Sequence, residues 1–269
     1  MNAWWHLLHK EYRMTRASAL LALAILLIGG LWLVYLSSRY NIGMIIVPAP
    51  FLLVFLLFYP AIYILKSLQW EWKVTPHLWL HCPQPAWMLL SSKLAVALLQ
   101  MLAIMLIAAA LLLLGFSISP IPEDVGGITF SSLLPLIIEV GFYAAVFTFA
   151  VSIYIGAWAT LISVVNAVAG KILGRFRWLA GAAVFVVAVA GFGQLQETRL
   201  YELLTRWGPI HIRLQNLPEI FDFETHLSVH AGAHMAVGQL YAGAILFYLL
   251  LTAVLYALSA WLIDHKVEV

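Results

Sequence analysis

The chain has 269 residues, of which 64% are hydrophobic and 10% charged, and its mean hydropathy is +0.98. A water-soluble domain carries about 25% charged residues, so this composition excludes a soluble surface and indicates an integral membrane protein. A net charge of +2 argues against nucleic acid as a partner, and a single cysteine, Cys82, excludes an internal disulfide framework.

The first residues, through Arg13, place Trp5, Leu8 and Tyr12 on one helical face, with Lys10 and Arg13 turned elsewhere. Aromatic anchors beside basic residues predict an amphipathic helix lying in the membrane interface, in contact with anionic lipid. Six apolar segments follow, near 17–36, 42–65, 88–116, 133–165, 178–195 and 238–263. Each can cross a bilayer as a helix, which needs about 20 residues, and only helix satisfies the backbone of a single segment in lipid. The first is too long for a signal-peptide core and has no cleavage site behind it, so it reads as a retained span. Pro48, Pro50 and Pro60 should kink the second. Ten of the fourteen Lys and Arg residues fall on the side of the N-terminal arm, and the positive-inside rule puts both termini in the cytoplasm.

The connection between spans two and three, residues 71–87, is polar and rich in proline. Thr75-Pro76 is a helix start, with Thr as N-cap and Pro at the first helical position. Pro83 and Pro85 end a helix of about two turns, in which Leu78, Trp79 and Leu80 lie among His77 and His81. Such a short amphipathic helix can lie on a membrane or dock into a groove on another protein. His77, His81 and Cys82 also have ligand-like spacing, although a metal there would occupy a helix that should dock.

Glu71, Val74-Thr75, Leu78-Trp79-Leu80, Pro83 and Lys93 resemble, at matching spacing, the pattern between spans two and three of ABC-2-type transporter permeases. Lys10-Glu11-Tyr12-Arg13 is similar to that family's Lys-Glu-x-Arg ahead of span one. The chain departs from the pattern at Val74, where the family often has Gly, and in having Pro76 and two histidines within the helix. The resemblance implies an all-α permease domain over residues 1–269, with six spans, an N-terminal elbow helix carrying Trp5, Lys10, Glu11 and Arg13, and a cytoplasmic coupling helix. It implies that Glu71, Thr75, Pro76, His77, Leu78, Trp79, Leu80 and Pro83 dock a separate ABC ATPase subunit. It further implies a second permease subunit, alike or different, in a bacterial plasma membrane. ATP and Mg would sit on the ATPase and no cofactor on this chain.

In the third span Gln100 suits a hydrogen bond between helices. Glu139, in the fourth, is an ionisable group inside a span and so a functional candidate, with an interhelical hydrogen bond as the plainer role. Gly141, Ala144, Ala145 and Ala150, then Ala180-Gly181-Ala182-Ala183 and Gly191, should let the fourth and fifth spans pack closely. In the long segment before the last span, Leu200, Leu203, Leu204 and Trp207 follow helical spacing, Glu202 and Arg206 form an i, i+4 pair, and Gly208-Pro209 stops the pattern. This predicts an outer amphipathic helix, which resembles the helical insert that ABC-2 permeases carry there.

His226, His230 and His234 would share one face of a helix, at a spacing that suits zinc. They define the rival expectation, a membrane-embedded metal-dependent enzyme or metal transporter. No Gly-x-x-x-x-Gly-Lys-[Ser/Thr] is present, and Gly170-Lys171 is followed by Ile172, so the chain has no P-loop of its own. The resemblance thus implies a permease subunit of an ATP-driven exporter, non-enzymatic in itself, forming half of a translocation pore.

Overall fold

The computed structural model describes residues 3–40, 43–74, 84–119, 130–213 and 236–266. Six of its helices are long and apolar enough to cross a membrane, and the protein is an all-α, multi-pass membrane protein. The spans are α1 (Ala3–Arg39), α3 (Pro48–Val74) with the short α2 (Gly43–Ile46) before it, α4 (Ala86–Ile118), α5 (Phe130–Leu173), α6 (Arg177–Gln196) and α8 (Ala242–Lys266); α7 (Arg199–Thr205) lies between the last two.

The proline positions explain where α3 begins. Val47 precedes Pro48, and a residue before proline is pushed out of helical backbone, so α2 stops and α3 restarts with Pro48 at its first position. The helix then runs through Pro60. Residues 75–83, which hold Thr75, Pro76, His77, Leu78, Trp79, Leu80, His81, Cys82 and Pro83, lie outside the described residues, as do His226, His230 and His234.

The expected elbow is helical but is not a separate element. Trp5, Lys10, Glu11 and Arg13 sit in the first third of α1, a single helix of 37 residues. At 1.5 Å per residue it is about 55 Å long, against a hydrocarbon core of about 30 Å. Two causes keep it continuous. Residues 3–28 contain neither Gly nor Pro. This stretch also packs along α4, where Trp4 Nε1 donates to Ser91 Oγ at 3.1 Å. Trp5 and Tyr12 face outward.

At the opposite end the outer helix forms as α7. Thr198 caps it, accepting from the Tyr201 backbone N–H, and Glu202 pairs with Arg206 at 2.9 Å on its exposed side. Leu200, Leu203 and Leu204 are exposed. The Tyr201 hydroxyl lies 3.1 Å from that of Tyr248 on α8. Burial, then the neighbouring Tyr248 hydroxyl, push the Tyr201 pKa up to about 12, so it remains a donor at neutral pH.

The remainder of this segment differs from expectation. Gly208 adopts φ 64°, a left-handed turn that ends the helical pattern. The chain then forms β1 (Pro209–Arg213), antiparallel to β2 (Ala236–Tyr241), with Ile210 opposite Leu240 and a bulge between Ile212 and Arg213. Ile210 and Ile212, β-branched and alternating, favour strand over helix. The last span therefore starts at Ala242, four residues beyond the position 238 expected from hydropathy. Gly243 is needed there, since a Cβ would stand 2.7 Å from the Leu204 carbonyl oxygen.

The spans form two groups. In the first, α1, α3 and α4 enclose Leu56, Met101 and Ile104. In the second, α5, α6 and α8 enclose Ala157, Leu161 and Leu255. α3 packs along α5 and joins them, and a third cluster of Ile64, Leu68, Ala86, Leu90 and Ala260 closes α3, α4 and α8 at the basic end.

Candidate functional site: a buried ion cluster at the root of the inner connection

Three helices each bring a polar stripe to one place. On α3 the stripe is Tyr59, Tyr63, Ser67 and Glu71, spaced four apart and so on one face. On α1 it is Trp4, Glu11 and Thr15, and on α4 Lys93 and Gln100, seven apart. The stripes meet along the inner halves of these helices.

Lys93 is the centre. Its Nζ lies 2.8 Å from Glu11 Oε1, 2.9 Å from Glu71 Oε1 and 2.9 Å from Ser67 Oγ. An ammonium has three hydrogens to give, and three acceptors from two other helices take them. The site is closed to solvent: Lys93 is 1% exposed, Glu11 3% and Glu71 5%. Two carboxyl groups face one ammonium, and Glu11 Oε2 is buried with no hydrogen-bond partner among the described residues. A charge removed from water is tolerated only when paired and hydrogen-bonded, so Lys93 keeps both carboxylates buried.

A hydrogen-bonded chain continues toward the middle of the bundle. Gln100 Nε2 donates to Thr15 Oγ1 at 3.0 Å, and Tyr59 OH donates to Gln100 Oε1 at 2.9 Å. Tyr63 OH donates to Thr15 Oγ1 at 3.4 Å, and the Thr15 hydroxyl donates to the Glu11 carbonyl at 2.9 Å. Close by, Asp264 in the last turn of α8 accepts from the Ala86 N–H at 3.2 Å. That satisfies one of the free donors at the start of α4, where the N-cap Pro85 has no side chain to do so.

Glu71, expected at a docking face, turns its carboxylate onto Lys93 and is 5% exposed, and Glu11, expected in the elbow, is buried against the same lysine. Lys10 and Arg13 are exposed, as that face requires. Gln100 bridges α1, α3 and α4. Glu139 is partly buried on α5, away from the cluster. Among the described residues no group of three His, Cys, Asp or Glu side chains could hold a metal.

Sequence reading missed the cluster as a unit, although it named Glu11, Glu71 and Lys93 separately. The available signal was the four-residue recurrence from Tyr59 to Glu71 inside an otherwise apolar span. No family model, curated protein or solved structure matches the chain.

Proposed function

We propose that the chain is the membrane-spanning permease subunit of an ATP-driven ABC-2-type exporter in a bacterial plasma membrane. A separate ATPase docks on residues 75–83, and a second permease completes the pore. The observation that carries this reading is where the ion cluster sits. Glu71 lies four residues before the connection 75–83, and Lys93 ten residues after it. Lys93 binds both Glu71 and, on α1, Glu11, and Asp264 of α8 holds the start of α4. A push on Leu78, Trp79 or Leu80 is thus delivered through short, directional, desolvated contacts to α1, α3, α4 and α8 together. A buried ionic lock in a membrane domain is expensive to keep, and transmission of force between helices is a role that such a lock suits.

The experiment is to tag the full chain, extract it in mild detergent from its native membrane and identify what accompanies it by mass spectrometry. A P-loop ATPase in near-equal amount is expected, together with a second six-span chain or a second copy. The double substitution Leu78→Asp/Leu80→Asp should abolish ATPase recovery while the chain still inserts. A chain that purifies alone, or with bound zinc lost on replacing His226, His230 and His234, overturns the exporter reading in favour of the metal-dependent one.

A further inference from the structure

A cavity of about 470 Å³ lies between the basic ends of α3, α5 and α6. Its lining includes Gln69, Trp72 and Lys73 from α3, Ser163 and Asn166 from α5, and Trp178 from α6. None of its described lining residues is acidic, and Lys73 is exposed and makes no ion pair among the described residues. Ser163 is 2% exposed, yet its Oγ has no hydrogen-bond partner among the described residues. Asn166 accepts from the Gly181 N–H through Oδ1 at 2.8 Å, which leaves its NH2 group to donate. Among its described lining residues the cavity thus offers a cation and several neutral donors and no anion. A buried hydroxyl without a partner calls for an explanation, and a bound acceptor supplies one.

We propose that this cavity binds the phosphate-bearing headgroup of an anionic glycerophospholipid. Its position decides between a lipid and a free phosphate compound. The cavity lies where the apolar length of the spans ends, and Trp72 and Trp178 flank it as interfacial aromatic side chains do. Next to Trp178, Leu179, Phe185 and Val186 of α6 are exposed, so an acyl chain entering at the cavity rim meets an apolar wall. Basic pockets between spans are the usual place for anionic headgroups. Lys73 supplies the charge, Ser163 and Asn166 the directed hydrogen bonds, and Gln69 a further donor at the rim. The site stands whether or not the chain docks an ATPase.

The test is native mass spectrometry of the full chain in mild detergent with phosphatidylglycerol, with phosphatidylcholine of the same acyl chains, and with glycerol 3-phosphate. Phosphatidylglycerol should be retained in preference to phosphatidylcholine, and glycerol 3-phosphate should not be retained. Lys73→Gln should weaken phosphatidylglycerol retention about fivefold. Arg16→Gln removes the same charge from the basic end of α1 and should leave retention unchanged. Ser163→Ala, which alters no charge, should weaken it about threefold, and this keeps the test decisive if the Lys73 variant does not fold. Equal retention of the two lipids, or equal loss in the Arg16 and Lys73 variants, overturns the site in favour of diffuse attraction to basic residues. Retention of glycerol 3-phosphate as strong as that of the lipid overturns the lipid assignment.

Discussion

The two groups of spans hold together by different chemistry. The α1/α3/α4 group is joined by charge and hydrogen bonds, from the Lys93 cluster through Thr15 and Gln100 to Tyr59. The α5/α6/α8 group is joined by aromatic edges and a close backbone approach. Tyr154 meets Tyr248 at 5.5 Å and Trp158 at 6.4 Å between ring centroids, Phe192 meets both Tyr154 and Tyr248, and Tyr201 of α7 meets Phe247 at 5.6 Å. At Gly181 the backbone N–H comes within hydrogen-bonding reach of Asn166, and a Cβ there would fall on the Asn166 amide. Helices in lipid gain no hydrophobic drive by meeting each other, so packing and polar contacts must supply the association. An ion cluster fixes register sharply, because one slipped residue buries an unpaired charge. Ring contacts and small residues tolerate small displacements. The group joined by ions roots the connection between α3 and α4, and the other group carries α7 and the β1–β2 hairpin.

If that contrast is right, substitutions in the two groups should differ in cost. The largest effect is expected for Lys93→Met, which leaves Glu11 and Glu71 buried without a counter-charge and should cost about 3–5 kcal/mol. Thermal unfolding in mild detergent, followed by circular dichroism, should show a large fall in Tm, and the triple variant Glu11→Gln/Glu71→Gln/Lys93→Met should recover most of it. A single variant with a near-native Tm would remove the ion cluster from the comparison. Next comes Gly181→Leu, which places a side chain on Asn166 and should cost about 1–3 kcal/mol. The same melt should shift less than for Lys93→Met; a larger shift would reverse the ranking of the two groups.

Gln100→Leu breaks the hydrogen bonds to Thr15 and Tyr59 and should cost about 1.2 kcal/mol, at about 0.6 for each bond between spans. A loss as large as that of Lys93→Met would mean that the hydrogen-bonded chain and the ion cluster act as one unit. The smallest effect is expected at the surface. Glu202→Gln breaks the exposed pair with Arg206, which should be worth about 0.3 kcal/mol and should weaken further as salt is raised. A salt-independent loss of several degrees in Tm would show that α7 anchors the outer segment through this pair.

The spans were legible in the sequence because hydropathy over about 20 residues is a local property. The α7 helix was legible for the same reason: its leucines, its i, i+4 pair and the Gly208-Pro209 stop all lie within one short stretch. The hairpin was not, since β1 and β2 are distant in sequence and only pairing reveals the second strand; Val237 to Leu240 reads equally well as the start of a span. The ion cluster was half legible. Glu11, Glu71 and Lys93 stood out by type, but sequence alone placed the first in an interfacial helix and the second on a docking face.

The sequence by itself determined a multi-pass helical membrane protein, the approximate length of its spans and the short helix α7. Backbone hydrogen bonding in lipid and the local run of side chains leave little choice at that level. Only the tertiary structure decided that α1 runs unbroken from Ala3, that Lys93 takes a carboxylate from each of two other helices, and that a cavity lined by Lys73, Ser163 and Asn166 opens between α3, α5 and α6. Those facts depend on which helical faces meet, and facing is set by the summed energy of contacts between segments far apart in the chain.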